Sequence, residues 1–78
     1  MTIFKFAVTI TSEGRETTLR EEYYRDKNVA LGLFQSELED MKNYGFSVIR
    51  NKYPLCCHLR CPDTGDRRCV YVKEITVI

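Results

Sequence analysis

The sequence predicts an α+β domain of ββαββ order, a four-stranded antiparallel sheet with one helix packed on one face. Three observations predict it. Residues near the N-terminus alternate apolar and polar with a period of two, residues 30–41 take the period of a helix, and the last third alternates again on either side of a turn-rich loop. The chain of 78 residues has room for one domain, 1–78. At that size roughly 60 per cent of the unfolded surface is buried on folding, so the core is thin.

Phe4, Phe6, Val8 and Ile10 alternate with Lys5, Ala7, Thr9 and Thr11, as in a strand buried on one side. Ser12-Glu13-Gly14-Arg15 is a tight turn in which Gly14 supplies positive φ. Centring the turn on Glu13-Gly14 sets Val8 opposite Leu19, Phe4 opposite Tyr23, Lys5 opposite Glu22 and Thr9 opposite Thr18. Phe6 then meets Glu21, which is expected at an edge or bent out to water. The helix follows. Ala30, Leu31, Phe34, Leu38 and Met41 form its apolar stripe, Asp26 or Asn28 caps its start, and Gly45 ends it with Phe46 as the contact beyond.

From Phe46 onward Ile49, Tyr53, Leu55, Cys57, Leu59 and Cys61 are apolar at odd positions, and Arg50, Lys52, His58 and Arg60 are basic at even ones. Pro54 interrupts this strand or marks it as an edge. Residues 62–68 read as loop and Cys69 to Ile78 as a closing strand. Pairing Cys61 with Cys69 sets Leu59 beside Tyr71 and Leu55 beside Ile75, which keeps the odd faces apolar.

All four cysteines and the single histidine lie between residues 56 and 69. Cys57 (or Cys56 in its place), His58, Cys61 and Cys69 supply the atoms of a structural zinc site, although their spacing departs from paired zinc knuckles. In a reducing compartment, buried free thiols are the plainer reading, with no cofactor. Cys56, His58 and Glu74 also supply a nucleophile, a base and an orienter by type. They would lie on the solvent side without an adjacent oxyanion-binding loop, so no enzymatic function is expected. No apolar run approaches the roughly 20 residues that span a bilayer, and the N-terminus lacks the pattern of a secretory signal, so a cytoplasmic protein with no membrane partner is expected.

Residues 1–44 carry six basic side chains against eight acidic, and residues 45–78 six against three, so the molecule is electrically two-sided. Lys5, Arg20, Arg50, Lys52, His58 and Arg60, with Tyr24 among them, are expected on the sheet face away from the helix. Such a face tracks nucleic-acid phosphates, though Glu22 and Glu74 would dilute it and the sequence pI of about 7.6 is low for a dedicated nucleic-acid binder. Glu37, Glu39 and Asp40 flank the helix stripe and, with Tyr24, make a second surface for a protein partner. Elimination favours a small non-enzymatic protein-binding module, of the regulator or inhibitor type that phages and mobile elements also carry. The alternative is a nucleic-acid-binding domain, stabilised by zinc. Two free sheet edges, with Tyr24, Val70 and Val72 as packing residues, suggest a homodimer.

Overall fold

The computed structural model describes residues 1–52 and 55–78. Strands β1 (Thr2–Ser12) and β2 (Arg15–Tyr24) form the first hairpin, helix α1 (Lys27–Asn43) follows, and β3 (Ser47–Lys52), β4 (Cys56–Arg60) and β5 (Arg67–Thr76) complete a ββαβββ chain. The five strands form one antiparallel sheet of order β2-β1-β5-β4-β3. The α+β class, the helix and the antiparallel sheet are as expected, but the described residues form five strands rather than four.

The extra strand comes from the stretch read as one. Lys52 pairs with Cys56, so the chain reverses between them, and the Leu55 amide donates to the Lys52 carbonyl at 3.2 Å. Alternation continues with the same period through a reversal, so it does not separate one long strand from two short ones. The expectations for Tyr53 and Pro54 lie outside the described residues.

The first turn forms at Glu13-Gly14, with φ of 52° and 78°, the backbone of a type I′ hairpin. Pairing runs from Ser12 opposite Arg15 to Thr9 opposite Thr18, and then a β-bulge shifts the register by one residue. Beyond it Val8 opposes Arg20, Phe6 opposes Glu22 and Phe4 opposes Tyr24. Leu19, expected opposite Val8, is the unpaired residue of the bulge and half exposed.

Asp26 caps α1 by accepting from the Asn28 amide at 2.9 Å. At the other end the Gly45 amide donates to Lys42 and the Phe46 amide to Met41, with Gly45 at φ 95°. That is a Schellman closure, and it needs a residue free to enter the left-handed region. Ala30, Phe34, Leu38 and Met41 face the sheet, while Leu31 is only partly buried against the core. Their partners are Phe6 and Val8 of β1, Val70 and Val72 of β5, and Cys57 and Leu59 of β4.

β5 enters this core on the face opposite to the expected one. His58, not Cys61, lies across from Cys69, and Leu59 lies across from Arg68. The pairings Cys61–Cys69, Leu59–Tyr71 and Leu55–Ile75 do not form, because the register differs by three residues and an odd offset exchanges the two faces of a strand. The observed register puts two valines under the helix, and Val70 is fully buried. The alternative would have put a thiol and a phenol there, each with a polar atom to satisfy. Val70 and Val72 are therefore core residues, not dimer contacts, and the outer strands are β2 and β3.

Candidate functional site: the open sheet face

Strand alternation and the pairings above fix what the face away from α1 carries. One row across the sheet reads Tyr23, Lys5, Lys73; the next reads Glu21, Ala7, Tyr71, Cys56, Lys52. A third reads Thr18, Thr9, Cys69, His58, Arg50, and the last Glu16, Thr11, Arg67, Arg60, Ser47.

Of the six basic residues expected together, Lys5, Arg50, Lys52, His58 and Arg60 share this face. Arg20 does not, because the bulge at Leu19 turns it to the helix side. There its guanidinium binds the Glu22 carboxylate, reaches Glu37 on α1 at 3.4 Å and lies 5.0 Å over the Phe6 ring. Tyr24 turns the same way and donates its hydroxyl to Glu22. Two acidic residues expected on the open face leave it for the same kind of reason, since Glu22 opposes Phe6 and Glu74 opposes Phe4. Sequence reasoning missed Arg67 and Lys73, which join the face through the register of β5.

The result is a face with Lys5, Arg50, Lys52, Arg60, Arg67 and Lys73 against Glu16 and Glu21. Lys5 pairs with Glu21 at 3.1 Å; among the described residues no carboxylate lies within ion-pair distance of the other five. Lys5 lies directly across from Lys73, and Arg60 directly across from Arg67. Each described aromatic of the face has a polar or cation contact, though Tyr23 is half exposed. Tyr23 donates to Glu21 at 2.6 Å, and the Lys5 ammonium sits 5.7 Å from the centre of the Tyr71 ring.

Near the middle of the face three ligand-type atoms converge. His58 Nε2 is 3.6 Å from Cys56 Sγ and 3.9 Å from Cys69 Sγ, and the two sulfurs are 3.8 Å apart. The three are one group of metal-ligand type. The expected set of Cys57, His58, Cys61 and Cys69 is not brought together. Cys57 points to the helix side and is buried in the core, and Cys61 lies beyond the end of β4. Cys56, the expected alternative to Cys57, completes the cluster with His58 and Cys69, because its even spacing from His58 on one strand puts both on one face. Glu74, the expected orienter of a Cys56–His58 pair, is on the opposite face.

The thiols differ in their surroundings. Burial, reinforced by neighbouring Cys56, pushes the Cys69 thiol up to about 12. Burial also raises Cys57, whereas hydrogen bonds from the Thr64 side chain and backbone lower Cys61. His58 Nδ1 is buried and has no hydrogen-bond partner among the described residues.

On the other side, Glu37 is held by Arg20, and Glu39 and Asp40 are exposed. Glu39 helps line a groove of ≈ 310 Å³ with Gln35, Leu38, Lys42 and Asn51. No described helix is long and apolar enough to cross a membrane. No protein-family model, curated protein or solved structure matches the chain.

Proposed function

We propose that this protein is a non-enzymatic binding module, of the regulator or inhibitor type, that occupies an acidic surface of another protein with its open sheet face. The observation that carries this reading is the pair of like-charge contacts, Lys5 across from Lys73 and Arg60 across from Arg67. Like charges directly opposite one another destabilise a sheet, and replacing either would relieve the repulsion. A face that keeps both, with five cations that no described carboxylate pairs, is suited to an anionic partner that neutralises them.

The working surface is thus the sheet rather than the acidic side of the helix. Glu37 shares the Arg20 guanidinium with Glu22, and with Glu39 and Asp40 it makes a smaller second patch. Exposed apolar side chains on the outer strands, Leu19 on β2 and Val48 and Ile49 on β3, flank the sheet and supply contact area of the kind protein interfaces bury.

Nucleic acid is the second reading, favoured by one observation: with Glu22 and Glu74 turned to the helix side and Arg67 and Lys73 added, the face is more basic than the sequence pattern suggests. Against it, base stacking needs free aromatic faces; the Lys5 ammonium lies 5.7 Å from the centre of the Tyr71 ring, which leaves the half-exposed Tyr23 to stack a base. Affinity capture from a lysate with and without nuclease separates the two. A single stoichiometric protein retained after nuclease, and lost with Arg60→Glu plus Arg67→Glu, supports protein docking. Loss on nuclease treatment, with salt-dependent binding of a single-stranded oligonucleotide whose salt slope falls in Arg50→Ala plus Lys52→Ala, replaces it with nucleic-acid binding.

A further inference from the structure

We infer that Cys56, His58 and Cys69 form a binding site for one thiophilic d10 cation, Zn²⁺ or Cu⁺, on the open face of the sheet. The inference stands apart from the docking reading above and rests on the arrangement of three atoms. Bonds of about 2.3 Å from zinc to sulfur and about 2.0–2.1 Å to nitrogen, at tetrahedral angles, separate two sulfur ligands by about 3.8 Å and a sulfur from a nitrogen by about 3.6 Å. The corresponding separations here are 3.8 Å between the sulfurs and 3.6 and 3.9 Å from each sulfur to Nε2. The three atoms therefore already stand at the corners of one face of a zinc coordination tetrahedron.

The scaffold explains why they stand there. Cys56 and His58 are two apart on β4 and so share a face, and His58 is the direct cross-strand neighbour of Cys69 on β5. Each ligand comes from a paired strand rather than a loop, so the triangle is held by ladder hydrogen bonds on both sides. Two thiols and one imidazole are the donor set that suits soft and borderline ions, while hard cations take oxygen. No carboxylate belongs to the group.

The imidazole meets the two thiols through Nε2, while His58 Nδ1 is buried with no partner among the described residues. A metal at Nε2 does not satisfy that atom; a ligating imidazole ordinarily hydrogen-bonds through its other nitrogen, which here would fall to a water. With three ligands from the chain, the fourth position is left to water or to a group from a docked molecule. Cys56, His58 and Cys69 are all partly exposed, which leaves that position an approach from solvent.

The test uses the whole chain, freshly reduced and kept under a non-thiol reductant. Zinc should bind one to one. Cobalt as a probe should give tetrahedral ligand-field bands together with thiolate charge transfer. Removing a ligand costs more than removing its outer-shell support, so Cys56→Ser, His58→Asn and Cys69→Ser should each weaken binding by at least about 100-fold, and Cys61→Ser should leave it unchanged. A cuprous titration in competition with zinc decides which of the two ions the site prefers. If a ligand variant fails to fold, wild-type protein still decides: the metal should slow alkylation of Cys56 and Cys69 but not of Cys61. Absence of stoichiometric binding of either ion, binding that survives loss of the ligands, or equal loss in Cys61→Ser would overturn the site.

Discussion

The guanidinium of Arg20 lies 5.0 Å over the ring of Phe6, on the side of the sheet that faces the helix. That contact exists because the bulge at Leu19 exchanges the two faces of β2 along its second half. The same exchange carries Glu22 inward to meet Arg20 and sets Glu21 on the open face, where it pairs with Lys5. Replacing Arg20 with alanine should therefore destabilise the fold without touching the proposed interface. A cation over an aromatic ring contributes about 0.5–1 kcal/mol at such a partly exposed place, and the ion pairs to Glu22 and Glu37 add little after solvent screening. A loss of about 1 kcal/mol in urea unfolding is expected. No change would show that Arg20 swings free of Phe6.

Acid should weaken the same corner of the molecule. The Arg20 hydrogen bond, followed by that of Tyr24, holds the Glu22 carboxyl below its usual value of 4.5, and the Tyr23 and Lys5 hydrogen bonds do the same for Glu21. A carboxylate whose folded pKa is depressed contributes stability that is fully present above its unfolded pKa and is lost as pH falls through the folded value. Urea midpoints should therefore hold steady from neutrality to about pH 5 and decline below about pH 4.5, the ordinary carboxylate range. In Glu22→Gln the midpoint should be lower at neutral pH and the acid decline shallower. Parallel curves for the two proteins would rule out this contribution.

Breaking a like-charge pair should have the opposite sign. Lys73→Glu sets a carboxylate across from Lys5, and Arg67→Glu sets one across from Arg60. Each is expected to stabilise the sheet by about 0.2–1 kcal/mol while weakening capture of the partner. Stabilisation with partner binding intact would leave the cations without the role assigned to them.

Three of the thiols should react in a definite order in the metal-free protein. Cys61, lowered by its hydrogen bonds with Thr64, should be alkylated first, ahead of Cys57 and Cys69, which burial raises. Mass spectrometry of the protein after a brief iodoacetamide pulse at mildly alkaline pH gives the order. Early labelling of Cys57 would mean that β4 opens away from the helix.

The elements decided within a few residues were legible in the sequence. Asp26 caps the helix by reaching two residues ahead, Gly45 closes it because only its own φ has to be positive, and Glu13-Gly14 turns the first hairpin by the same local freedom. Each depends on a short stretch of chain. The assignment of faces does not. Alternation marks two sides of a strand without saying which meets the helix, and one bulge or one odd offset in register exchanges them. Leu19 slips out of the ladder, so Arg20 and Tyr24 leave the expected basic face. Val70 and Val72 go under the helix, so Cys69 comes out beside His58 and Cys56 rather than Cys61. What brought the three metal-ligand atoms together was the burial of two valines against α1, a choice made by packing between segments far apart in the chain.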